Sequence, residues 1–322
     1  MAGFSVLVGG LAANRAVADP DPAPDAKLPA LSPEPEIFSF TLGGNEAFVI
    51  HDFSLALPSI QPMFVPEATK SEIEAICKRN FLPADRAALS VNILVVKSSS
   101  GVMVFDTGTG HAFGPVPGRL LRGLEKVGVK PGDVKFVFVT HAHLDHIGGL
   151  VDESGRPVFA SAKIVADKAE VAFWTSEKPD LSGMRAPPEA ATQALKGAQK
   201  ILGALKDNLE LAAPGRVAAG VELVTAAGHT PGHSLFQITQ GDDRLLNIGD
   251  AVHLHALQFA RPDWTMAYDT DPAKAIQTRQ ALFKKLAAQS TTVIGAHLPF
   301  PGIGHVRVAP QGYEWVPRPW VV

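Results

Sequence analysis

Three observations predict an α+β protein in which mixed sheets lie inside and helices pack outside them. Short β-like runs interleave with amphipathic helical segments from residue 37 to the end. No repeat with a period of 20 to 50 residues appears, which excludes solenoids and propellers. A chain of 322 residues with 46% apolar side chains can bury a core large enough for one such domain.

The elements follow in order. Residues 1–18 form a short apolar stretch ending in Ala16-Val17-Ala18, the small-x-small form of a signal-peptidase site. Export to the periplasm or the medium is expected from it, whereas the lack of any Lys or Arg before Arg15 argues for the cytoplasm. Residues 19–36 are proline-dense and read as an extended arm, because each proline removes a backbone donor. Residues 37–322 then form the folded domain. Its expected strands begin with Phe38–Leu42, Ala47–Asp52, Val91–Val96 and Val102–Phe105, the last two closing a hairpin over Lys97–Gly101.

Ser71–Lys78 reads as helical and carries Cys77, the only cysteine, so no intrachain disulfide can form. Helices are expected over Pro117–Val127, Pro188–Leu209 and Pro272–Gln289. In the last, Ala275, Ile276, Leu282, Phe283 and Leu286 share one face, with Lys274, Arg279 and Lys285 free to reach solvent. Further strands are expected at Val134–Val139, Lys163–Ala166, Val221–Thr225, Ser234–Thr239, Arg244–Ile248 and Thr292–Ile294. Beyond the amino-terminal stretch, no apolar run is long enough to span a membrane. Basic and acidic residues number 29 and 32, which gives no positive field for a nucleic acid.

The chemistry concentrates after the Val134–Val139 run, in Thr140-His141-Ala142-His143-Leu144-Asp145-His146. Imidazole and carboxylate are ligands that divalent zinc accepts, and four of them fall within six residues. Further candidates each follow a β-like run: His229 in Gly-His-Thr-Pro-Gly-His, Asp250 after Leu245–Gly249, and His297 after Thr291–Ile294. Loops at sheet ends can converge on one site while the sheet fixes their positions. Asp106 precedes a turn, which its side chain can cap. His233 reads as part of the Pro231-Gly232 turn, and His253 and His255 as ordinary satisfied histidines, with a place flanking the pocket as the alternative. His305 falls in a glycine-rich loop, where it could support the ligands, and His51 and His111 carry no motif.

With these residues named, the chain resembles the metallo-β-lactamase-fold hydrolases, whose H-x-H-x-D-H motif stands here as His141, His143, Asp145 and His146. The resemblance implies a four-layer αββα sandwich with the site at one edge of the sheets. It implies two divalent metal ions, zinc by preference. His141, His143 and His229 would hold one, Asp145, His146 and His297 the other, and Asp250 would bridge them. In that pattern Asp106 would accept an imidazole N–H and orient the ring. A hydroxide generated between the metals would attack an ester, lactone or phosphotriester, with Asp250 holding the pair and Asp145 offering a proton to the leaving group.

A branch typified by methyl parathion hydrolase is similar through Phe113-Gly114-Pro115, Ala172-Phe173-Trp174, Leu257-Gln258-Phe259 and His297–His305. It places Phe113, Trp174, Leu254, Leu257 and Tyr268 on the pocket wall. Between Ser176 and Ala194 small residues and Pro187-Pro188 replace expected aromatics, which favours an aryl ester or lactone over an organophosphate. β-Lactamases of this fold carry cysteine or serine where this chain has Asp250. Thioesterases share the bridging Asp and the Gly-His-Thr-Pro-Gly-His turn but not the Leu298–His305 tail. A silent small-ligand sensor would have shed ligands, and all seven positions are filled. The expected partner is a small-molecule substrate, and a homodimer is compatible with the sequence without being required by it.

Overall fold

In the computed structural model, residues 34–114, 116–205 and 207–319 are described; the signal-like segment, most of the proline-rich arm and Pro115 lie outside them. The first sheet runs β1 (Ile37–Leu42), β2 (Asn45–Leu57), β3 (Ala87–Ser98), β4 (Gly101–Phe105), β5 (Val134–Val139), β6 (Lys163–Asp167) and β7 (Leu209–Ala212), in that spatial order. Its first four strands are antiparallel and the rest continue in parallel. The second sheet comprises β8 (Gly215–Ala218), β9 (Val221–Thr225), β10 (Ser234–Gln240), β11 (Asp243–Asn247), β12 (Val293–Ile294), β13 (Ile303–Val308) and β14 (Tyr313–Pro317). Only β11 and β12 pair in parallel within it.

Alternate side chains explain the layering. Phe105, Phe138 and Val165 point into a core shared with Leu223, Phe236 and Ile238 of the second sheet. Their neighbours Val104, Val137 and Ile164 point the other way, onto Leu120 and Leu124 of α2 (Leu120–Lys126) and onto helices α4 (Lys168–Thr175) and α5 (Pro188–Ala204). On the far face of the second sheet, Leu235, Leu246 and Val293 pack on Leu282, Phe283 and Leu286 of α7 (Pro272–Gln289). Helix, sheet, sheet and helix therefore stack as four layers. Strands apolar on both faces read as unbroken apolar runs, the mark of a sheet covered on both sides.

The remaining α-helices among the described residues are α1 (Lys70–Arg79), α3 (Leu144–Ile147) and α6 (His255–Ala260). Cys77 is buried on α1 in a satellite core with Phe64, Leu257 and Met266. Three expectations need correction. The helix expected over residues 188–209 ends at Ala204, and Leu209 opens β7 instead. Arg279 is buried, because its guanidinium donates to the carbonyls of Ala251 (2.8 Å) and Trp264 (2.6 Å). His305 lies exposed on β13 against Thr292 Oγ1, since Ile303–Val308 is a strand and not a loop. No helix among the described residues is long and apolar enough to cross a membrane.

Candidate metal centre

Parallel strands end side by side, so loops leaving their carboxyl ends meet. His141 leaves β5, Asp250 leaves β11 and His297 leaves β12, the latter two each three residues past neighbouring parallel strands. His229 comes from the loop between β9 and β10. Helix α3 turns Asp145 and His146 back towards His141. Gly249, at φ 47°, makes the turn that presents Asp250; a side chain there would also strike His233 Nε2 at 2.7 Å.

Two clusters on the expected lines result, and Asp250, His253 and His297 form a third group that overlaps them. Ligand atoms of His141, His143, His229 and Asp250 lie within 4.8 Å of one another, as do those of Asp145, His146 and His297. His143 Nδ1 stands 3.0 Å from the Nε2 atoms of both His141 and His229. The Asp250 carboxylate lies between the clusters, 3.6 Å and 3.5 Å from His141 and His229 Nε2, and 3.1 Å from both His146 and His297 Nε2. Asp145 reaches His297 Nε2 at 3.4 Å and His146 Nε2 at 3.7 Å.

What lies behind each ring fixes which nitrogen faces inward. His146 Nδ1 donates to Asp106 Oδ2 (2.9 Å), His229 Nδ1 to Asp269 Oδ1 (2.8 Å) and His297 Nδ1 to the Ser90 carbonyl (2.8 Å). Thr140 Oγ1 donates to Asp106 Oδ2 (2.8 Å) and so accepts from His141 Nδ1 (3.1 Å). Each of these four rings therefore presents a bare Nε2 lone pair to the centre. His146 Nε2 and Asp250 Oδ1 are buried and have no hydrogen-bond partner among the described residues. Two lone pairs 3.1 Å apart repel unless a proton or a metal ion lies between them.

The electrostatics point the same way. Burial holds His141, His143 and His229 well below the ordinary histidine value, which keeps them neutral and able to ligate. Burial would raise Asp250, but the surrounding imidazoles, His146 and His297 foremost, hold it well below the usual carboxylate range. Burial would likewise lower His146 and His297, yet the carboxylates of Asp250 and Asp145 raise both. That negative field is one a metal cation can satisfy. The residues present thus fit a divalent ion in each cluster.

Asp106 Oδ2 accepts from His146 Nδ1 and orients that ring, while Oδ1 takes the Thr140 N–H (2.7 Å) just past β5 and not a donor of its own turn. Three further supports carried little or no signal of their role in the sequence. His253 Nε2 stands 3.0 Å from Asp250 Oδ2 and, unlike the other rings, is free to donate its proton there; the Asp250/His253 spacing was its only signal. His233 accepts the Asp250 N–H (3.0 Å), and burial pushes it down to about 4. Asp269, next to Tyr268, carried no signal at all.

Above the centre opens a cavity of about 320 Å³. Phe113 and Tyr268 line it, as expected, together with Leu55, Leu57, Met63, Phe64 and Met266. Trp174, Leu254 and Leu257 do not. Trp174 is fully buried behind His143, their rings 5.5 Å apart, and Leu254 and Leu257 pack behind Phe64 and Met266. Ala190, Gln193 and Ala194 of α5 complete the wall, so the small residues noted there do face the cavity.

Comparison with known proteins agrees with this geometry. The family model described as the metallo-beta-lactamase superfamily matches residues 86–297. A probable metallo-hydrolase of Mycobacterium bovis is 26% identical over 194 residues, 52% of this chain and 58% of that protein. The chain thus spans a little over half the length of the curated relatives it matches. Among solved structures, AidC, a dizinc quorum-quenching lactonase in complex with its product, is 31% identical with a TM-score of 0.86, covering 90% of this chain and all of that one. The hydrolase AbOPH is 28% identical with a TM-score of 0.80, covering 89% and 98%. The family and the His/Asp cluster together support a metal-dependent hydrolase. From the αββα layers, the converging ligands and the matched family model, the chain belongs to the metallo-β-lactamase superfamily.

Proposed function

We propose that this chain is a two-metal hydrolase, zinc-loaded by preference, that opens a lactone or cleaves a carboxylic ester bearing an apolar acyl group. One observation carries the reading: bare imidazole lone pairs ring the Asp250 carboxylate at the floor of a cavity walled by Leu55, Leu57, Met63, Phe64 and Met266. His141, His143 and His229 would hold one ion, Asp145, His146 and His297 the other, with Asp250 shared. Ions held there would supply an acidified water and polarise the scissile carbonyl.

The chain's own residues do the rest. The apolar wall takes the acyl group out of water and leaves its carbonyl over Asp250. His253 donates to Asp250 and keeps that carboxylate oriented. Asp145, the more exposed of the two carboxylates, faces the cavity, where it can take up the proton released by the attacking water and pass it to the departing alkoxide. The lactone is favoured because AidC, the lactonase at 31% identity, holds an N-acyl homoserine product. Export rests on residues 1–18 alone and is proposed on that basis.

Initial rates of the zinc-loaded protein on N-hexanoyl homoserine lactone, phenyl acetate, a diethyl aryl phosphotriester and a cephalosporin test the reading. The lactone or the ester should be fastest. Faster phosphotriester turnover would overturn the substrate class, and bound metal without any turnover would overturn the enzyme.

A further inference from the structure

Glu170 is buried on α4 and is not itself a candidate ligand, yet four donors converge on its carboxylate. Oε1 accepts the Ala142 N–H at 2.8 Å and the Trp174 indole N–H at 2.7 Å. Oε2 accepts the Thr230 hydroxyl at 2.6 Å and the Gly232 N–H at 3.0 Å. A carboxylate has two lone pairs on each oxygen, and all four are used. No cation is among these partners, so the charge is balanced by neutral donors aimed inward.

The identity of the donors matters. Ala142 is the residue between His141 and His143. Thr230 and Gly232 belong to the turn that follows His229. Trp174 lies edge-on to the His143 ring. The turn also sits tightly on the helix: a side chain at Gly232 would meet Glu170 N at 2.1 Å, so only glycine allows the approach. His146 and His297 have supports of their own besides, Asp106 behind the one and the Ser90 carbonyl behind the other, with the 295–298 loop pinned by Asn92 through the Gly295 and Leu298 carbonyls.

We infer that Glu170 is a positioning residue for the His141/His143/His229 cluster, joining the two loops that carry these ligands across the gap between the sheets. Glutamine in its place would turn an NH₂ towards two of the four donors and push one loop away. The His141–His143 backbone and the His229 turn would then lose their common reference, while the other cluster kept its own.

The inference rests on the two-metal reading and deepens it. Zinc titrated into the metal-stripped full chain against a chromophoric chelator tests it, with melting of the metal-free protein measured alongside. Glu170→Gln should weaken one of two zinc-binding events by about 10- to 100-fold and leave the other unchanged. Trp174→Phe and Thr230→Val each remove one donor while keeping the carboxylate, and should weaken the same event less. They decide the matter if Glu170→Gln does not fold. Equal weakening of both events, or unchanged affinity with only a lower melting temperature, would overturn the role. Absence of zinc uptake by the unaltered protein would instead overturn the metal reading itself.

Discussion

Asp250 is where the residue-level chemistry meets. Its carboxylate faces His141, His146, His229, His253 and His297, and its N–H is taken by His233. No neutral side chain of that size can face so many imidazoles. Asp250→Ala should therefore release the metal of the Asp145/His146/His297 cluster and slow hydrolysis by about a hundredfold or more, measured as metal per chain and initial rate. Unchanged metal content would refute the bridging role. The motif residues His141, His143, Asp145 and His146 were legible because several ligands in a short span are rare by chance. Asp269 and Glu170 were not, because a buried carboxylate has no local pattern; its meaning lies in partners distant along the chain, such as His229 at 2.8 Å and Thr230 at 2.6 Å.

At the scale of elements, α5 decides the shape of the cavity. Pro187 and Pro188 start it, and Ala190, Gln193 and Ala194 face the substrate space. Small side chains there leave the room that an acyl chain would take. Ala194→Phe should raise KM for an acyl lactone by about tenfold or more, with metal content unchanged and a short aryl ester less affected. Equal KM values for the acyl lactone would remove α5 from the substrate site. Helix α7 shows why some bounds were readable: Asp271 caps it by accepting the Lys274 N–H (2.9 Å), Pro272 opens it, and Ser290 closes it in a left-handed turn. Its face was misjudged at Arg279, since a cation can be buried when carbonyls such as those of Ala251 and Trp264 receive it.

Across the whole molecule the two sheets hold the site together, and acid should loosen them in a defined window. Burial pushes the partly buried His255, beside Trp315 at the start of α6, down to about 4 from an ordinary value of 6.5. Its unfolded form takes up a proton first as pH falls. Stability from this group is therefore full above pH 6.5 and lost progressively as pH drops towards 4. His255→Gln should lose about 2 kcal/mol less than the unaltered protein over that range, as read by denaturant melts of the metal-free form. Parallel pH curves for the two would refute it.

The sequence by itself determined the layered α+β class, the order of most strands and the seven ligand candidates, because alternation of apolar side chains and close-set histidines are local patterns. It could not determine which nitrogen of each ring faces inward, that Trp174 backs His143 while Phe113 lines the cavity, or that Glu170 joins two loops. Those follow from contacts between residues 28 to 207 positions apart, as in Ala142 with Glu170 and Ser90 with His297. Only the packing of two sheets brings such groups within hydrogen-bonding distance, and burial then makes each bond obligatory.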